Sequence, residues 1–118
     1  MADTALFVGF GLPVRGREKQ AVTVFGEAIA YYTGLQEGGE IESFESVLLE
    51  PHGGDLGGFF VLRGDQSQIA RVRDSDDFAA LNTRAGLVVE NFGVVGGLVG
   101  DRLAAAMARY QAALGELT

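Results

Sequence analysis

The sequence predicts a single α+β domain with an antiparallel sheet covered by helices on one face, and three observations predict it. Short apolar runs suited to strands alternate with stretches of helical period within 118 residues, a length that fits one domain and not two. The segments follow the order strand, helix, strand, strand, helix, strand, with one more helix at the end. The strand segments carry apolar side chains on both faces.

Ala5 to Leu12 is an almost continuous apolar run stopped by Pro13, and its length favours a strand buried on both faces over a helix. Gly9 and Gly11 fall on one face of it and mark a place where a helix or another backbone comes close. From Gly16 to Leu35 the period changes. Ala21, Val22, Phe25, Ala28, Ile29 and Tyr32 recur at steps of three and four, while Lys19, Gln20, Thr23, Glu27 and Ala30 fall on the other side. This is the pattern of an amphipathic helix, and Gly34 with the pair Gly38-Gly39 punctuates its end.

Ile41 to Leu49 begins half polar and finishes as Val47, Leu48 and Leu49. Pro51 to Gly58 then reverses the chain, since Gly53-Gly54 and Gly57-Gly58 supply the positive φ values a reversal needs. Phe59 to Leu62 is again apolar on both faces. Asp65 is expected to cap a helix with Gln68 as its capping-box partner. Ile69, Val72, Phe78, Leu81 and Ala85 continue an apolar face, which the Asp74 to Asp77 cluster is expected to break into two short helices. Leu87 to Val99 is the last strand region, with Gly93, Gly96 and Gly97 marking bulges or close approach. Asp101 is expected to cap a final alanine-rich helix in which Leu103, Met107, Tyr110, Leu114 and Leu117 keep a seven-residue rhythm. Such a stripe is expected to pack on the chain's own sheet, the alternative being a coiled coil.

This order is the split βαβ arrangement of ferredoxin-like domains with an extra terminal helix. Helices on one face leave the other face to water, so an isolated copy should alternate apolar and polar residues along each strand. These strands do not alternate. Each large apolar side chain left in water forfeits on the order of 2 kcal/mol of burial, and a whole face of them exceeds what a small domain tolerates. A second copy laid face to face is the economical remedy, which predicts a homodimer through the sheet faces.

The segment GGFFVLRGDQSQIARVRDSDDFAALNTRAGLVVEN, together with the element order and the two-faced strands, resembles the dimeric α+β barrel superfamily. That group includes antibiotic-biosynthesis-type monooxygenases, muconolactone isomerases and chlorite-dismutase relatives. The resemblance covers nearly the whole chain and lies in pattern: a strand, a short helix, the charged step from Asp74 to Phe78, a second short helix and an apolar last strand. It implies the fold and the dimer, and it carries no catalytic residue to this chain.

Composition narrows the chemistry. A formal net charge of -7 would repel a phosphate backbone, so nucleic acid is not an expected partner. The chain has no cysteine, which excludes disulfides, thiolate zinc sites, iron–sulfur clusters and a cysteine nucleophile. Its start carries an acid where a signal peptide has a basic region, and no apolar run is long enough to span a bilayer. A soluble cytoplasmic protein without cofactor is expected.

His52, the single histidine, stands near Glu50 and Asp55 in the glycine-rich turn. It could serve as a general base oriented by a carboxylate; the plainer alternative is an exposed turn residue. A proximal haem ligand would need this same residue on a poor scaffold, and Glu50, His52 and Asp55 match no standard metal spacing, so no metal is expected. Arg15 and Arg17 sit with Lys19 at the start of the first helix, where free N–H groups favour an anion. The alternative there is pairing with surface acids. Gly93 to Gly100 invites a nucleotide reading and fails it, because Val95 stands where the first glycine of the dinucleotide fingerprint belongs and no Gly-Lys-Ser/Thr follows. Arg63 and Asn91 are polar beside apolar strands and are the expected ligand contacts, with an internal salt bridge the alternative for Arg63. Tyr31, Tyr32, Phe44, Phe59, Phe60, Phe92 and Tyr110 could line an apolar pocket.

Two functions are expected from this: a small-molecule-binding or structural module for an apolar or anionic molecule, or a cofactor-independent oxygenase or isomerase with His52 as base and Arg63 as anion stabiliser. His52 in a closed pocket near Arg63 or Asn91 would favour the enzyme.

Overall fold

A computed structural model describes residues 2–117. The elements run β1 (Thr4–Phe10), α1 (Glu18–Glu37), β2 (Ser43–Leu48), β3 (Gly58–Gly64), α2 (Gln66–Asp74), α3 (Asp76–Val88), β4 (Gly93–Leu98) and α4 (Gly100–Leu117). The strands form one sheet in the order β2-β3-β1-β4, and every neighbouring pair is antiparallel. The expected order of elements is therefore the observed one.

Register decides which side chains share a face. Leu6 pairs with Leu62, and Val8 with Phe60 and Val94. Successive strand residues point to opposite faces, so these residues look one way, together with Phe44 opposite Leu62. That face meets Ala28, Tyr32 and Leu35 of α1, Ile69 and Val72 of α2, and Phe78 and Leu81 of α3 in one core cluster. Ala5, Phe7, Phe59, Val61, Val47 and Val95 look the other way, where no helix lies, and Phe7 stacks on Phe59 with ring centroids 5.1 Å apart. Both faces of the sheet are apolar, and the helices cover one of them.

Local signals explain the helix breaks. Asp65 accepts from the Gln68 N–H at 2.8 Å, while the Gln68 carboxamide oxygen accepts from the Asp65 N–H at 2.8 Å, completing the capping box. Ten residues after Asp65 the chain breaks at Ser75. Its hydroxyl donates to the Val72 carbonyl at 2.8 Å and accepts from the Phe78 N–H at 3.2 Å, so one residue ends α2 and caps α3. The Tyr31 hydroxyl, 3.3 Å from the Ser75 oxygen, is left the donor's part.

Five expectations need correction. Leu87 and Val88 belong to α3 and not to the last strand: Val88 turns into the core, and the helix closes with the Val89 N–H on the Ala85 carbonyl. Val22 was expected on the core face of α1 yet is 72% exposed, because the stripe that reaches the sheet is the narrower line of Ala21, Ala28, Tyr32 and Leu35. Asp101 lies inside the first turn of α4 and does not cap it. Above all, α4 does not pack on the sheet. None of its residues is buried, and Leu103, Met107, Tyr110, Leu114 and Leu117 all face outward. β4 also pairs with β1 from Gly93 to Leu98 without a bulge, and a Cβ on Gly96 would meet only the flexible end of Arg73, at 3.3 Å.

Candidate functional site

Where β1 leaves the sheet, three backbones cross within hydrogen-bond reach. The Gly11 N–H donates to the Glu90 carbonyl and the Gly57 N–H to the Phe10 carbonyl, each at 2.7 Å. A Cβ on Gly11 would stand 2.8 Å from both the Asp55 and Glu90 carbonyl oxygens, closer than real side chains come, so glycine is required there. This crossing lies just past the C-terminal end of α3. An isolated bridge between Pro13 and Val89 continues it.

The space left between α1, α3 and that end of the sheet is a cavity of about 450 Å³. Its wall consists of Val8, Phe10 and Phe60 from the sheet, Ala21, Val24, Phe25, Ala28 and Tyr32 from α1, Leu81, Asn82, Ala85 and Val88 from α3, and Phe92 beyond it. Leu12, Val22 and Leu48 form an apolar rim and are themselves exposed. Among the described residues no charged side chain is present in the wall. Tyr32 and Asn82 are the two wall residues with hydrogen-bonding side chains. Tyr32 is 1% exposed and packs edge-on against Phe60 at 5.0 Å. No hydrogen bond joins its hydroxyl, or the Asn82 carboxamide, to another described residue, and neither group is shut off from the open cavity. Burial, with the neighbouring Tyr31 second, raises the Tyr32 pKa well above the ordinary tyrosine value, so the hydroxyl keeps its proton and can donate.

The structure places the expected site residues elsewhere. His52 is exposed in the turn between β2 and β3; its Nδ1 accepts from the Gly54 N–H at 3.1 Å, which leaves Nε2–H to donate to the Leu56 carbonyl at 2.7 Å. Both ring nitrogens thus serve the turn. Among the described residues no histidine and carboxylate cluster could hold a metal ion. Arg63 sits on the helix-free face, paired with Glu45 at 2.8 Å, about 17 Å along β3 from the turn that holds His52. Asn91 is exposed with a φ of 54°, a left-handed turn position that asparagine tolerates. Arg17 donates to the Leu87 carbonyl at 2.6 Å, supplying positive charge at the C-terminal end of α3. Arg15 is exposed nearby. His52, Arg63 and Asn91 are not brought together, and none of the five lines the cavity.

Of the aromatic residues expected at a pocket, Tyr32, Phe60 and Phe92 are in its wall. Phe59 lies on the other face and Tyr110 on α4. The strongest feature that sequence reasoning missed is Asn82. Its signal was present: it follows Leu81 in an apolar stretch of α3, one step from the buried stripe.

No protein-family model matches the chain, and no curated protein is significantly similar to it. Solved structures are. A DABB family protein with a ferredoxin-like fold from Mesorhizobium loti shares 18% identity at a TM-score of 0.66, covering 85% of this chain and 99% of its own. The fold is ferredoxin-like. A dimeric protein with that same fold from Bacteroides fragilis matches at a TM-score of 0.63 and 13% identity, over 81% of this chain and 95% of that one. SnoaB, a cofactor-independent oxygenase from Streptomyces nogalater, matches at a TM-score of 0.50 and 18% identity, over 86% and 95%. At such identities the ferredoxin-like likeness speaks for the fold. No helix among the described residues is long and apolar enough to cross a membrane.

Proposed function

We propose that the chain forms a homodimer through the helix-free faces of its sheets and that each copy holds a small, neutral, largely apolar molecule in the cavity between α1, α3 and the sheet. One observation carries the binding role: an apolar cavity of about 450 Å³ contains two polar side chains, Tyr32 and Asn82, with no partner among the described residues. Apolar pockets with a few placed polar groups are what small-molecule sites consist of. No side-chain polar atom is buried without a partner among the described residues, so the Tyr32 and Asn82 groups face the open cavity, where a ligand's acceptor can take the place of water. The wall has no cation to balance an anion, so the molecule is neutral. The enzymatic alternative needs a base in the cavity; Tyr32 is its one ionisable wall residue, and burial holds that proton in place. The dimer is supported by the uncovered apolar face and by the dimeric neighbour. The net charge of -7 opposes a phosphate backbone, so nucleic acid is not among the proposed partners.

The neutral fluorophore N-phenyl-1-naphthylamine tests the site. We expect saturable emission at one dye per chain, and at least tenfold weaker binding in Ala85→Phe, which fills the cavity from α3. Equal binding by a folded Ala85→Phe variant, or no binding to the native protein, would sink the proposal.

A further inference from the structure

If the sheet faces pair, two apolar surfaces on each chain still remain uncovered. One is the α4 stripe, whose five side chains are 46–84% exposed; the other is the cavity rim of Leu12, Val22 and Leu48, at 67–72%. The stripe advances by four, three, four and three residues, which is the narrow seam of a helix made to pack against another element. Alanines at 104, 105, 106, 108, 112 and 113 flank it and permit close approach.

α4 does not reach its own rim. It leaves the body next to Ala2, where a Cβ on Gly100 would stand 2.8 Å from the Ala2 carbonyl. The first turn is tied down there by Arg102 Nη1 on Thr4 Oγ1 at 2.8 Å and by the Leu103 N–H on the Val99 carbonyl. This is the end of the sheet where β1 starts, and the rim is at the end where β1 stops. The described chain measures 55 × 37 × 22 Å, with α4 standing off the body.

We infer that α4 is an exchanged arm: in the dimer each α4 lays its stripe along α1 and β2 of the other copy and closes the mouth of that copy's cavity. β2 and β4 are the two edges of the sheet, and two such sheets close into a barrel when each β4 meets the partner's β2. α4 follows β4 directly, so this arrangement starts it beside the partner's β2. Its 18 residues extend about 27 Å, enough to run the ~20 Å length of β2 and reach Leu48 and Val22. A stable interface takes roughly 800 Å² from each partner. Five half-exposed large side chains supply on the order of half of that, with the sheet face supplying the rest. The cavity is thereby completed only in the dimer, and the partner contributes Tyr110 and Met107 to its mouth.

The inference rests on the dimer proposed above, and the absence of native cysteine allows both to be tested separately. Leu48→Cys and Tyr110→Cys are placed singly and together in the full chain and oxidised at micromolar concentration. The double variant is expected to give covalent dimers and the single variants none. A disulfide within one chain, cross-linking by Tyr110→Cys alone, or a dimer by light scattering that does not cross-link each overturns the arm while leaving the sheet dimer standing. A monomeric native protein overturns both. As a second measurement, Met107→Gln with Leu114→Gln should weaken dimerisation at least tenfold and speed N-phenyl-1-naphthylamine release, leaving the body folded because no α4 residue is buried in it. Unchanged dimerisation and release count against the arm.

Discussion

Replacing Phe59 by lysine tests the uncovered face directly. Phe59 stands opposite Gly9 and Val47 in the sheet and stacks on Phe7 at 5.1 Å, on an inner strand of the face without helices. In the isolated copy Phe59→Lys removes one aromatic pair, about 1 kcal/mol, and sets an ammonium group in water. In a sheet-to-sheet dimer the same ammonium is buried without a partner, a loss of several kcal/mol, and two-fold symmetry imposes it twice. The dissociation constant should therefore rise at least 100-fold, about 2.8 kcal/mol, while the fold persists. Sedimentation equilibrium across the micromolar range measures the first quantity and far-UV circular dichroism the second. Phe60→Lys, one residue on and 3% exposed, should instead unfold the chain. A Phe59→Lys variant that dimerises like the native protein would refute the assignment of this face to the interface.

Two further outcomes follow from single contacts. Asp65→Ala deletes the oxygen that accepts from the Gln68 N–H and should lower urea stability by about 1 kcal/mol; a loss under ~0.3 kcal/mol would mean the box is not holding α2. Tyr32 has a folded pKa raised above its ordinary value of 10.0. A raised folded pKa gives stability that is complete below the unfolded value and is lost as pH climbs past it, here above pH 10.0, by at most about 1.4 kcal/mol per pH unit. Tyr32→Phe should therefore match the native protein at pH 8 more closely than it does at pH 10.5, where its urea midpoint should fall less; parallel losses in both proteins would remove Tyr32 as the cause.

Much of the fold is legible in the sequence because its signals are local. The capping pair Asp65 and Gln68 needs four consecutive residues, and the break near Asp74 to Asp77 needs a short polar step that interrupts an apolar face. Ser75 then makes that break by hydrogen bonds to residues three away on either side. Where the period blurred, boundaries moved: Leu87 and Val88 look equally suited to a strand, and Val88 is drawn into α3 by its place in the core. The site was hardly legible. His52 and Arg63 drew notice by residue type, yet one serves its own turn and the other pairs with Glu45 across the strands. The cavity wall is drawn from β1, β3, α1 and α3, and its polar residues Tyr32 and Asn82 lie 50 positions apart in sequence.

Taken alone, the order of residues determined the element sequence, the caps and the presence of grease on both sides of the strands, since periodicity and hydrogen-bonding side chains act over a few residues. Tertiary structure decided which side the helices took, that α4 stands clear of its own body and that an apolar cavity opens behind the Gly11 crossing. Those are matters of register and of distance between segments far apart in the chain, which local chemistry does not encode.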